Sequence, residues 1–303
     1  MLTTAVFHSK ALRASARLLR DIANPGRLVA HRHRRNQPIV LACYHKSGTE
    51  LLSKIFAAVS RRFGWRFRTL HGYKTGLAPD AEVMLYAHSL IALDQVTEPY
   101  VGVHLIRDPR DIIVSGYLYH RQTQEGWCTN VPPSPPFPDD IDFPLVPYSQ
   151  RHRDEAWKKS YLRTLAGLSY QQTLCQLSRD DGLIFEMDHY ARWTIESMRD
   201  WNYTNEKVLE VRFEDLRDNF DQGFNRIFSH AGLRDDEQTV AMRIARKHDL
   251  NRKSTRELRR MTHVTGNEPQ KWRRYFTPEL KTAFLSRFGD ILIDLGYEED
   301  NRW

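Results

Sequence analysis

The chain has 303 residues, 41% of them hydrophobic and 27% charged, with a formal net charge of +7 and three cysteines. The composition is that of a soluble globular protein. No apolar run approaches the ~20 residues that cross a bilayer, and the N-terminus lacks the apolar stretch and small-residue cleavage site of a secretory signal. The charge does not mark a nucleic-acid binder: residues 1–36 hold Lys10, Arg13, Arg17, Arg20, Arg27, Arg32, Arg34 and Arg35 against Asp21 alone, which accounts for the whole excess.

Cys43, Cys128 and Cys175 are far apart and form no CxxC pair. That argues against a disulfide framework or zinc site and for a reducing, cytoplasmic compartment. Residues 1–36 read as a basic helix and linker. Residues 37–303 read as a single domain.

Val6, Leu12, Leu18, Leu19 and Ile22 recur at helical spacing among arginines. This segment is either a helix or basic arm on the domain, or a contact with anionic lipid, or an Arg-rich targeting presequence; the first is favoured. "PIVLACY" (38–44) is a buried strand, and residues 48–62 follow as a helix with Leu51, Leu52, Ile55, Phe56 and Val59 on one face. Strands are expected at 66–70, 82–88 and 100–106, and a helix over 109–120. Residues 131–147 contain seven prolines and must be a long irregular loop. Helices are expected at 151–178 and 183–201, a strand at 207–216 ending in an acidic turn, and helices near 217–231, 235–258 and 277–296. Strands alternating with helices predict an α/β fold with a central parallel sheet.

Two strand-to-helix junctions could hold anions. At the first, "YHKSGTELL" places Lys46, Ser47, Gly48 and Thr49 at a helix N-terminus, where free N–H groups and the helix dipole favour negative charge. The lysine precedes the glycine and no earlier glycine exists, so this is not a Walker A loop. At the second, "RDPRDIIVSGYLYH" starts a helix with Asp108 as cap and Pro109 at its first position. Arg107 ends an apolar strand there, at the sheet edge where open α/β sheets bind ligands, and Ser115 lies two turns along the helix. Two anion sites suit a nucleotide phosphorylated at both ends of its ribose.

The first motif resembles the 5′-phosphosulfate loop of the sulfotransferases, YPKSGTTWL, and the second resembles that family's 3′-phosphate motif. "VRFEDL" is similar to the family's YEDL turn, and "GNEPQKWRRYFTPEL" to its C-terminal RKGxxGxWxxxFT loop. The four motifs run in the family's order over about residues 38–290. The resemblance implies a P-loop NTPase-like fold and 3′-phosphoadenosine 5′-phosphosulfate (PAPS) as sulfuryl donor, leaving PAP as product, without a metal. It implies that Lys46, Ser47, Gly48 and Thr49 hold the 5′ end, with Glu50 and Leu51 next to them among the cofactor-binding residues, and that Lys46 neutralises the leaving oxygen. Arg107 and Ser115 would hold the 3′-phosphate, with Phe213 nearby in place of the YEDL tyrosine.

A base for the acceptor hydroxyl is expected at His88, at the end of a strand nineteen residues before Arg107. Glu50 is the alternative. His45 replaces the family's proline and is read as shaping the loop, and His104 as core. Leu51 replaces an adenine-stacking tryptophan, so that contact must come from elsewhere. The Arg-Lys pair before the C-terminal glycine is missing, with Thr265 and Gly266 in its place; Arg259, Arg260, Lys271 and Arg273 are substitutes, and Trp272 is read as packing. The acceptor bears a hydroxyl (or amine) on a carbohydrate, lipid, phenol or peptide, and Trp127, Phe137 and Tyr148 are available to stack on it. Two rival readings are a Mg²⁺-dependent nucleotide kinase on a related fold and a silent relative that binds nucleotide or glycan without turnover.

Overall fold

The computed structural model describes residues 35–151, 153–254, 256–257 and 268–303. The expectations for residues 1–34 and for Arg259, Arg260, Thr265 and Gly266 lie outside the described residues.

Five strands form one sheet: β1 (Ile39–Cys43), β2 (Phe67–Leu70), β3 (Val83–Ala87), β4 (Val101–Ile106) and β5 (Val208–Arg212), in the order β2-β3-β1-β4-β5. Every neighbouring pair is parallel, with Leu41 of β1 opposite Leu85 of β3 and Val103 of β4. All five β1 residues are buried, as expected of a central parallel strand covered on both faces. On one face Leu41 and Cys43 pack with Leu52, Ile55 and Phe56 of α1 (Thr49–Phe63) and with Phe224 and Phe228. On the other, Val40 packs with Met84 and Tyr86.

The chain leaves β1 through α1 toward β2. It leaves β4 through α2 (Pro109–His120) and a long helical excursion toward β5 on the other side. β1 and β4 are adjacent, so the strand order reverses between them, and a crevice opens at their carboxyl ends.

The excursion holds α3 (Gly126–Thr129), α4 (Glu155–Thr164), α5 (Tyr170–Gln176), α6 (Arg179–Asp188) and α7 (Tyr190–Arg199). The helices expected at 151–178 and 183–201 are therefore broken. Ala166 (φ 50°) and Gly167 (φ 79°) end the first, and Ser169 restarts it with a capping box to Gln172. Ser178 caps α6, and His189 separates α6 from α7. The strand expected to 216 stops at Arg212, because Phe213 opens α8 (Phe213–Asp218). There follow α9 (Phe220–His230), α10 (Asp235–Ala245), α11 (Pro278–Phe288) and α12 (Ile291–Asp294). The helix expected over 235–258 ends at Ala245 and gives way to short 3₁₀ turns. The proline-rich stretch has no helix or strand between Thr129 and Tyr148.

Candidate active site

A cavity of about 640 Å³ opens at the carboxyl edge of β1 and β4. Its walls come from the β1–α1 loop, the turn after β3, Arg107, the start of α8 and the loop before α4.

The β1–α1 loop is held by its own side chains. Ser47 Oγ donates to the Tyr44 carbonyl and accepts from the Tyr44 N–H, both at 2.8 Å. Thr49 Oγ1 donates to the same carbonyl at 2.9 Å and accepts from Cys43 Sγ. Both hydroxyls, expected to face a ligand, are thus turned onto the loop, and Ser47 does not line the cavity. Besides the Lys46 ammonium, the donors this loop leaves to an anion are backbone ones. The Leu52 N–H bonds the Gly48 carbonyl, so the N–H groups of residues 48–51 precede the helical ladder. Gly48 caps α1 at φ 112°; a side chain here would be strained, and its Cβ would sit 2.9 Å from Leu105 and 3.0 Å from Phe213.

Arg107 ties the two junctions together. Its Nη1 donates to the Lys46 carbonyl at 2.9 Å, its guanidinium lies 4.9 Å over the Phe213 ring, and its Nη2 is 3.7 Å from Asp111. Asp111 also accepts from the Trp272 N–H at 2.9 Å. Ser115 is one turn beyond Asp111 on the same face of α2 and is fully buried, so it does not line the cavity. Ser115 Oγ and Arg107 Nε are buried without a hydrogen-bond partner.

Three cations converge here. Burial of the Lys46 ammonium, with Arg107 beside it, lowers its pKa to about 7. Lys271, brought in by the C-terminal segment, is lowered to about 8 by burial and then by Arg107. Lys46 Nζ stands 4.0 Å over the Tyr119 ring. Among the substitutes weighed for a second 3′ cation, Lys271 is buried beside this cluster, whereas Arg273 bonds Gln270 on the surface. Trp272 is packing, stacked under the Arg110 guanidinium at 3.8 Å.

Part of the cavity lining is imidazole and aromatic. His88 and Ser89 follow β3 with φ of 63° and 54°, two successive left-handed residues that turn the chain sharply at the cavity. Burial holds the His88 imidazole down at about 4, so it is neutral at ordinary pH. Glu50 lines the cavity but is half-exposed and pairs with Lys54 at 3.0 Å. Tyr148 and Phe143 stack at 4.1 Å and line the mouth with Trp127. Phe137 does not join them: it is buried beneath Arg163. His104 is core as expected, and its Nδ1 bonds Glu210 at 2.6 Å.

The sequence reading missed Glu125, which accepts from Tyr119 Oη at 2.7 Å and Trp127 Nε1 at 2.6 Å on the cavity wall. His45, read as shaping the loop, has a further place in the site. That residue lines the cavity, and its Nε2 lies 3.0 Å from His120 Nε2.

No curated protein matches the chain in sequence. Among solved structures it resembles mouse sulfotransferase SULT7A1 complexed with PAP, at 16% identity, TM-score 0.43 and 87% coverage of each chain. It also resembles retinol dehydratase in complex with retinol and PAP, at 14% identity, TM-score 0.44, and 88% and 84% coverage of this chain and that one. The family model described as the sulfotransferase domain matches residues 102–296, and the chain belongs to that family.

Proposed function

We propose that this sulfotransferase moves the sulfuryl group of PAPS onto a hydroxyl-bearing acceptor, within a single catalytic domain spanning residues 37–303. The observation that carries the donor assignment is the clamp made by Arg107. It joins the β1–α1 loop to the start of α2 and sits among Lys46 and Lys271, whose pKa values are lowered first by burial and then by Arg107, so the site favours added negative charge. A nucleotide with phosphates on both faces of its ribose supplies that charge at two points. Arg107 lines the cavity, and its Nε is a buried donor without an acceptor, which costs about 1–3 kcal/mol; a 3′-phosphate against it removes that cost.

In this reading the N–H groups at the start of α1 hold the 5′-phosphate. Lys271 takes the place of the family's C-terminal cation. Phe213 and Leu51, both on the cavity wall, are available to the adenine. The acceptor oxygen attacks sulfur in line with the bridging oxygen. The new S–O bond forms as the old one breaks, and PAP departs with the electron pair on its 5′-phosphate. Lys46 stabilises that developing charge. As in phosphoryl transfer, a loose transition state makes positioning and charge stabilisation the main work. The sulfuryl group carries less charge than a phosphoryl group, so a lysine and a helix N-terminus suffice where a kinase needs Mg²⁺.

The acceptor's proton goes to an imidazole lining the cavity. His88 and His45 both stand there, and Glu50 is engaged by Lys54. Binding of PAP by isothermal titration calorimetry, with the wild type and Arg107→Ala, tests the donor site. The expected result is binding by the wild type and at least a ~100-fold loss in the variant. Binding of ATP with Mg²⁺ in preference to PAP would overturn the assignment in favour of a kinase.

A further inference from the structure

His45, His120 and Glu186 form a chain from the cavity into the protein interior. His45 lines the cavity on the residue next to Lys46. Its Nε2 is 3.0 Å from His120 Nε2, and the two rings are nearly parallel, 12° apart. His120, at the end of α2, is fully buried, and its Nδ1 is 3.0 Å from Glu186 Oε2 on α6. Glu186 is buried as well, and Oε2 also accepts from Tyr170 Oη at 2.9 Å. The His120 carbonyl accepts from Gln171 Nε2 and Cys128 Sγ, which fixes the backbone that carries this imidazole.

The chemistry of these contacts sets the tautomers. A carboxylate only accepts, so His120 carries a proton on Nδ1, and a neutral His120 then presents a lone pair at Nε2. His45 must then donate from Nε2, which places its own lone pair on Nδ1. A carboxylate behind an imidazole stabilises the imidazolium that forms when the outer nitrogen takes a proton. The helix packing allows the arrangement only because residue 116 has no side chain: a Cβ there would meet Glu186 Oε1 at 2.5 Å.

We infer that His45, aligned through His120 by Glu186, is the group that takes the acceptor's proton. This inference rests on the sulfuryl-transfer reading of the cavity. The acceptor O–H bond breaks as the S–O bond forms. The proton goes to His45 Nδ1, and Glu186 balances the resulting imidazolium through His120. No co-reactant is needed. His45 is then the catalytic residue, and His120 and Glu186 are positioning residues. His88 shapes the acceptor pocket, its ring 6.2 Å from that of His45.

Two readouts test this. Protein labelled with nitrogen isotope at histidine, with signals assigned through His45→Gln and His88→Gln, reports each tautomer by NMR and needs no acceptor. The inference expects His45 protonated on Nε2; protonation on Nδ1 overturns it. In transfer of radiolabelled sulfuryl from PAPS to a panel of phenols, sugars, lipids and peptides, His45→Gln is expected to lose about 100-fold in kcat with PAP affinity unchanged, and His88→Gln less than about tenfold. Glu186→Gln and Gly116→Ala should lower kcat about tenfold or more at unchanged acceptor KM. Activity of His45→Gln within about threefold of wild type overturns the inference, leaving the donor assignment intact. A wild type that binds PAP but transfers no label sinks the sulfuryl-transfer reading, whatever the tautomers.

Discussion

Lys46 meets two opposed demands. Its ammonium is held in a confined place beside Arg107, which favours the neutral amine, yet in the proposed mechanism it must be charged as negative charge develops on the leaving oxygen. The bound nucleotide reconciles them, since its phosphates draw the proton back. The lysine's folded pKa of about 7 lies below its unfolded value, so between about pH 7 and 10 the unfolded chain binds more protons and stability rises with pH. PAP binding should run the other way. At about pH 8 it is expected to take up protons at Lys46 and Lys271. Calorimetry in buffers of differing ionisation enthalpy reads that uptake, and Lys46→Met should reduce it. Identical uptake in the variant would remove Lys46 from the site. The lysine and Arg107 were legible in the sequence because both lie at the ends of apolar strands, where local pattern sets position. The His45–His120–Glu186 chain was not: it joins the β1–α1 loop, α2 and α6, and no spacing within any one of them announces it.

At the scale of elements, the β1–α1 turn depends on glycine. Gly48→Ala must hold a left-handed backbone, at about 1–2 kcal/mol, and press its methyl against Leu105 and Phe213. The expected outcome is a lower melting temperature together with weakened PAP binding; a variant that binds PAP normally would show that the turn tolerates displacement. All five strands were readable; β1, β3 and β4 were so as largely apolar runs bounded by polar turns, which leave little alternative. The long helices were misread as unbroken because apolar periodicity persists across Ala166–Gly167 and across His189. The breaks had local signs, Ser169 three before Gln172 and Ser178 three before Asp181, both starts of helices. The inward turn of Ser47 and Thr49 had none, because a hydroxyl beside a glycine serves a ligand or its own loop equally well.

For the whole molecule, the sheet's central strand supports everything at its carboxyl edge. Leu41 is fully buried between two neighbouring strands and α1, and Leu41→Ala should cost about 2–5 kcal/mol in chemical denaturation. A cost below about 1 kcal/mol would mean that the core there repacks freely. The reaction itself should proceed unchanged in EDTA, because in the proposed mechanism charge on Lys46 and the helix terminus does the work a metal does in a kinase; loss of transfer on chelation would favour the kinase. The most direct measurement is transfer of radiolabelled sulfuryl from PAPS to an acceptor panel by the wild type and by Lys46→Ala. The account requires label on an acceptor with the wild type and at least a ~100-fold slower reaction with the variant. Equal rates for the two proteins, or label transferred by neither, would contradict it.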